Sequence, residues 1–181
     1  MTPSGLLTYP DPRLRIIATP ILDFDERLAA LARDLVAAVE AAPAVGLAAC
    51  HIGVPVRMIA ARRPGETAVH VYVNPVIEWA SPERMVNEEG SVSMPGVTAE
   101  IERPKTVRVA YRDLGGACRI EEAEGFHAAV LQHEIDQLDG VFWIERLSRL
   151  KRERLIRRYQ KYGNRSVPVA ILPPRDLPIS R

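Results

Sequence analysis

Gln132-His133-Glu134-Ile135-Asp136-Gln137 carries the first half of a metal-hydrolase helix motif. In H-E-x-x-H, two histidines four residues apart lie on one helix face and hold a metal ion. The glutamate between them moves protons for the metal-bound water. His133 and Glu134 stand in the expected order, but the second histidine position is Gln137. The chain has the proton-transfer group without the full metal grip, as a redesigned enzyme or a former one would.

Two other segments present residue types that suit a site. Val45-Gly46-Leu47-Ala48-Ala49-Cys50-His51-Ile52-Gly53 combines glycine with small residues, which lets backbone pass close to a ligand or another element. Glu88-Glu89-Gly90-Ser91-Val92-Ser93-Met94-Pro95-Gly96 reads as a tight turn presenting one small polar side chain. The three segments are far apart in sequence, so only a fold can bring them together.

The elements that would do so are legible in part. Leu28, Leu31, Leu35, Val36 and Val39 recur at spacings of three and four, predicting a helix over 25–42 capped by Asp23 or Asp25 and ended by Pro43. Short apolar runs at 54–60, 68–73, 76–79 and 106–111 are bounded by proline, glycine or charge and read as strands. Gly115-Gly116 predicts a hairpin turn into a partner strand over 119–122. A second helix is expected over 125–138, stopping at Asp139-Gly140. A third, densely basic one follows Ser148 (Arg149, Lys151, Arg152, Arg154, Arg157, Arg158, Lys161). Strands interrupted by a buried helix indicate an α+β fold, a mostly antiparallel sheet around a central helix.

Composition narrows the classes. At 181 residues the chain supports one sizeable core, and a net charge of +1 gives no global field for nucleic acid or membrane. Two cysteines, Cys50 and Cys118, are too few for a disulfide framework. Residues 1–9 lack a basic start followed by an apolar run, and no stretch reaches the roughly 18 apolar residues of a membrane span. The expectation is a cytoplasmic protein with a domain over 1–165 and a proline-rich tail over 166–181.

Taken together, the three segments resemble the three motifs of the peptide deformylases, G-x-G-L-A-A-x-Q, E-G-C-L-S and Q-H-E-x-D-H-L. Tyr9-Pro10-Asp11-Pro12, Val73-Asn74-Pro75 and Glu124-Gly125-Phe126-His127 agree as well, so the similarity runs from Leu7 to Tyr162, with a C-terminal helix like that of the bacterial type-1 branch. The resemblance implies mixed α+β architecture with antiparallel sheets around the central helix, flanked by an N-terminal and a C-terminal helix. It also implies metal-dependent removal of the formyl group from formylmethionyl peptides, using iron, zinc or nickel. It places Glu134 as general acid/base, Gly46, Leu47, Val92 and Glu89 in the substrate cleft, and Ser91, His133 and Gln137 at the metal-ligand positions. Glu89 is expected to pair with Arg103.

The departures lie at those last positions. The family's metal-binding cysteine and second histidine are Ser91 and Gln137, the water-positioning glutamine is His51, and the first motif-one glycine is Ala44. A thiolate carries a full charge, whereas a serine hydroxyl and an amide oxygen are weak neutral donors near pH 7. If each loss costs ~3 kcal/mol, affinity falls on the order of 10⁴-fold. A structural zinc site releases roughly 10–16 kcal/mol in all. The expected cofactor is therefore none, or a weakly held divalent ion, and ordinary deformylation should fail.

Three readings stay open. The cleft binds a peptide N-terminus or small acyl-amide; or a reorganised centre of His51, His133 and Glu134 hydrolyses amides; or the basic helix contacts the ribosome. Within the second, Ser91 beside His133 suits a nucleophile, with Glu134 or His51 orienting the ring and the Val92 amide as oxyanion donor. Gln137 is expected to bridge to His133 or water. Cys50 reads as either inert or reactive, and His70 and His127 as structural.

Overall fold

Asp25 starts the first helix as expected. Its carboxylate accepts hydrogen bonds from the Arg27 and Leu28 amides at 2.9 and 3.2 Å, satisfying donors that the first turn leaves open. In a computed structural model of the chain, which describes residues 5–162, α1 runs Glu26–Ala41 and buries Leu28, Ala32, Leu35 and Val39 at helical spacing.

A five-stranded antiparallel sheet lies between α1 and a second helix. Its strands are β1 (Gly46–Ala48), β2 (Met58–Arg62), β3 (Val69–Ala80), β6 (Thr106–Arg112) and β7 (Cys118–Glu124), in the order β1-β2-β3-β6-β7. Strand β2 shows why its sequence is apolar throughout. Met58 and Ala60 pack in the cluster with α1, while Ile59 and Ala61 pack in the cluster with α2 (Gly125–Leu138). A strand buried on both faces loses the usual alternation. Strands β4 (Arg84–Ser91) and β5 (Met94–Pro104) form a separate antiparallel hairpin. It packs with α3 (Arg149–Tyr162) through a third apolar cluster that includes Met94, Val97, Ile101, Trp143, Ile144 and Leu155.

The mixed α+β architecture with one central helix is the expected one, and the helix over 125–138 falls on α2 residue for residue. Three details differ. The run expected as a strand over 54–60 is a strand only from Met58. The two runs at 68–73 and 76–79 are one strand, irregular at Asn74-Pro75, where Asn74 takes φ 52°. The segment over 88–96, read only as a turn, is the closing end of the β4–β5 hairpin, whose polar alternation hides it from an apolar-run search. The tail over 166–181 lies outside the described residues.

Two backbone features bring the three motif segments together. Leu7 donates to the His51 carbonyl at 2.8 Å and Tyr9 to the Ser93 carbonyl at 2.7 Å, so the N-terminal wrap ties the first motif loop to the second. Gly46 lets β1 lie on α2. A Cβ there would sit 3.0 Å from Val130 Cγ1 and 3.3 Å from Glu134 Cγ.

Gly46→Ala should therefore push β1 off α2 and cost about 1–3 kcal/mol, the usual range for overpacking. At roughly 2–4 °C per kcal/mol for a chain of this size, thermal melts should show the loss, and an unchanged melting temperature would refute the close packing.

Candidate functional site

Helix α2 is buried from His127 to Leu138, although its sequence is polar at Gln132, His133, Glu134, Asp136 and Gln137. Each of these groups needs a partner in low dielectric. His133 and Asp136, one turn apart, find theirs on the β4–β5 hairpin. His133 Nδ1 lies 2.9 Å from Glu89 Oε2. Arg103 grips Glu89 with Nε and Nη2 at 2.5 and 3.0 Å and reaches Asp136 with Nη1 at 2.8 Å. Arg146 closes the chain on the second side of Asp136. Burial pushes the Glu89 carboxyl up, but hydrogen bonds from His133 and Arg103 win and hold it down at about 2. Burial likewise opposes charge on His133, yet the Glu89 contact and the nearby Glu134 charge raise it above its ordinary value.

An ionised carboxylate only accepts, so His133 Nδ1 carries a proton, and Nε2 is the free nitrogen whenever the ring is neutral. That nitrogen has no hydrogen-bond partner among the described residues. His133 lines a small, partly open pocket together with Gly46, Leu47, His51, Ser91 and Glu134.

His51 sits in a single 3₁₀ turn after β1 and is 1% exposed. Burial, and next the proximity of His133, lower its pKa to about 3, so it is neutral. The Ala48 amide points at Nδ1 from 3.1 Å. An amide only donates, so we assign Nδ1 as acceptor and the ring proton to Nε2. The Ala48 carbonyl, 3.2 Å from the same nitrogen, is then a contact without a proton. His51 Nε2 and Glu134 Oε2 are both buried without a hydrogen-bond partner. The two side chains approach to 3.7 Å between Nδ1 and Oε2. Burial raises Glu134 to about 7 despite His133 and the Ala48 amide.

Several sequence-based expectations change here. Glu89 pairs with Arg103, but it does not line the pocket. It stands behind His133, in the orienting position expected of Glu134 or His51. Gln137 bridges to neither His133 nor the pocket, because its Nε2 donates to the Leu14 carbonyl at 2.5 Å. Gly46, Leu47 and Val92 do line the pocket. Cys50 is buried with its thiol pushed up to about 11 by desolvation, so it stays protonated. His70 contacts Glu66, and His127 joins Glu121 in a cluster with Arg63 and Tyr72. Asp136 and Arg146 were not picked out from sequence, though Asp136 stands at i+3 from His133, the spacing of one helix face.

The donor set does not fit the metal that the motif resemblance implies. Ser91 offers a neutral hydroxyl that accepts the Ser93 amide at 3.2 Å, and Gln137 is turned to Leu14. Only the His133 imidazole remains of the three. Among the described residues, no three His, Cys, Asp or Glu side chains converge so as to hold an ion, and His51, His133 and Glu134 do not rebuild such a site.

Comparison with known proteins agrees with the geometry of the fold. The polypeptide deformylase family profile matches residues 3–153. A peptide deformylase-like protein of Bradyrhizobium diazoefficiens is 51% identical over 161 residues, covering 89% of this chain and 95% of its own. Two further relatives come from Brucella suis. One is named peptide deformylase-like, 50% identical over 89% of this chain and 98% of its own. The other is named peptide deformylase, 39% identical over 95% of this chain and 100% of its own. The crystal structure of a peptide deformylase from Legionella pneumophila superimposes with a TM-score of 0.81 at 36% identity, over 87% of this chain and 94% of that one.

The buried carboxyl gives a pH test. Folded Glu134, at about 7 against an ordinary 4.5, holds a proton that the unfolded chain releases between those values. Its penalty is thus absent below pH 4.5, grows as pH rises, and is complete above about 7. Glu134→Gln should stabilise the protein at pH 8 by roughly 1–3 kcal/mol relative to its effect at pH 4.5. Equal shifts in melting temperature at both pH values would contradict the raised carboxyl.

Proposed function

Because the chain belongs to the peptide deformylase family and its ligand positions do not fit that family's metal, we propose that its cleft binds a peptide N-terminus or small acyl-amide without ordinary deformylation. The observation that carries this reading is the pair of unpartnered buried atoms, His51 Nε2 and Glu134 Oε2, beside one pocket. A buried donor and a buried acceptor left open cost about 1–3 kcal/mol each, a cost that an amide's C=O and N–H would relieve together. The two Brucella suis relatives support it as well, since a protein named deformylase-like stands there beside one named deformylase.

Without a metal-polarised water, nothing in the pocket supplies hydroxide at neutral pH, because free water keeps its pKa of about 15.7. In this reading the residues recognise the ligand. His51 donates, Glu134 accepts while ionised, and the apolar wall of Leu47 and Val92 takes a side chain.

Protein purified without chelator should carry well under one equivalent of iron, zinc or nickel and should leave formylmethionyl peptide uncleaved. A full equivalent of metal lost on His51→Ala would overturn the proposal. The triple variant Ser91→Cys, Gln137→His, His51→Gln should regain metal. Partial formyl-peptide cleavage is the expected gain.

A separate observation favours contact between α3 and a polyanion, as on ribosomal RNA. Arg149 is paired with Glu153, but Lys151, Arg154 and Arg158 have no ion-pair partner among the described residues and line one shallow pocket with Leu147, Leu155 and a single acid, Glu100. Unpaired cations in a row release counterions on binding phosphates. Co-sedimentation with ribosomes should be salt-dependent and vanish when Arg154, Arg157 and Arg158 are neutralised; unchanged binding would count against the contact.

A further inference from the structure

We propose that Ser91, His133 and Glu89 form a serine acyl-transfer triad that opens into the pocket, with His51 Nε2 as donor to the oxyanion. The proposal relies on the acyl-amide cleft reading only to bring a carbonyl into the pocket.

Four observations carry it. Glu89 accepts from His133 Nδ1 at 2.9 Å, which turns Nε2 into the lone-pair acceptor whenever the ring is neutral; no described residue donates to it. Ser91 Oγ accepts the Ser93 amide at 3.2 Å, so the oxygen is held from behind while its own proton has no acceptor among the described residues. Both side chains line the same pocket, as does His51, whose proton on Nε2 is buried and unpaired. Arg103 fixes both oxygens of Glu89, so the orienting carboxylate cannot rotate away from the ring. A hydroxyl and an imidazole on one pocket, with a carboxylate fixed behind the ring, are the groups that activate a hydroxyl on several unrelated folds; Ser91 Oγ and His133 Nε2 make no hydrogen bond to each other here, so the proton transfer needs them drawn within reach when a carbonyl enters.

The chemistry balances without metal. Ser91 Oγ bonds to the carbonyl carbon of an ester or amide, and the hydroxyl proton passes to His133 Nε2. The resulting oxyanion accepts from His51 Nε2–H. Collapse breaks the bond to the leaving alcohol or amine, which takes the proton from His133. Water then attacks the acyl-serine with His133 again accepting its proton; the acid leaves and the Ser91 hydroxyl is restored. Glu89 does not touch the substrate; it is a positioning residue.

The test treats the full chain, in a Cys118→Ala background because that exposed thiol would itself accept acyl groups, with an alkyl fluorophosphonate and with p-nitrophenyl acetate. Intact mass and peptide mapping should show one adduct, on Ser91, formed equally with and without EDTA. Ser91→Ala should abolish it, and His133→Gln should slow labelling by about 100-fold or more, the scale of a lost general base. Glu89→Gln should lower the limiting labelling rate without changing half-saturation, and Glu89→Asp should recover part of it. Because Glu89 also holds Arg103, labelling is read well below each variant's own melting temperature, where a merely structural Glu89 would move both constants together. Adduct at another residue, labelling indifferent to His133→Gln, or no adduct on protein that melts normally would each overturn the triad. NMR titration with N-acetylmethionine amide separates this from the cleft reading. Amide binding without adduct removes the triad and leaves the cleft. Adduct without amide binding removes the affinity claim and keeps the triad.

Discussion

The structure turns on the neutralisation of one buried helix. Helix α2 has no solvent-facing side on which to put His133 and Asp136, so their partners must come from another element. Arg103 supplies the answer, placing one guanidinium between Glu89 and Asp136 while Glu89 meets His133. Removing one member of such a buried set strands the others, at a cost of roughly 3–5 kcal/mol. The hairpin and helix are therefore locked in register, and the hairpin's end at Ser91 is delivered to the face of α2 that carries His133 and Glu134.

That coupling explains how the ligand positions could change while the frame stayed. Ser91, His51 and Gln137 belong to no part of the Glu89–Arg103–Asp136 chain. Among the described residues the Ser91 hydroxyl takes its one hydrogen bond from the Ser93 amide, and His51 is held by the Ala48 amide in its own turn. Their replacement leaves every buried charge compensated. Glu134 is the exception, a carboxyl raised to about 7 and kept in the pocket without a hydrogen bond on Oε2. A group that costs stability at neutral pH has a physical explanation when something in the pocket uses it.

Much of this was visible in sequence, for definite reasons. Helix α2 declared itself through small and apolar residues ending at Asp139-Gly140, and α1 through its 3–4 spacing and the Asp25 cap. The β4–β5 hairpin did not, because Arg84–Ser91 alternates polar groups whose partners lie across the fold rather than along the chain. The same limit applied to the site. The motif resemblance brought Ser91, His51 and His133 together, and the structure does place them on one pocket. It could not show that Glu89 faces the back of His133, since both a cleft carboxylate and an imidazole partner satisfy the same spacing.

The three departures are not equivalent in space. Ser91 and His51 still face the pocket, so each keeps a role available to it there. Gln137 does not; its amide nitrogen holds the Leu14 carbonyl, in a wrap that also bonds Ala18 to the Leu138 carbonyl. One former ligand position now fastens the N-terminal segment to the end of α2. A histidine at that place has two ring nitrogens, so one N–H could hold the Leu14 carbonyl while the other nitrogen met a ligand. Gln137 is thus part of the packing of the N-terminal wrap, whereas the chemistry open to Ser91, His133 and His51 is set by what enters the pocket.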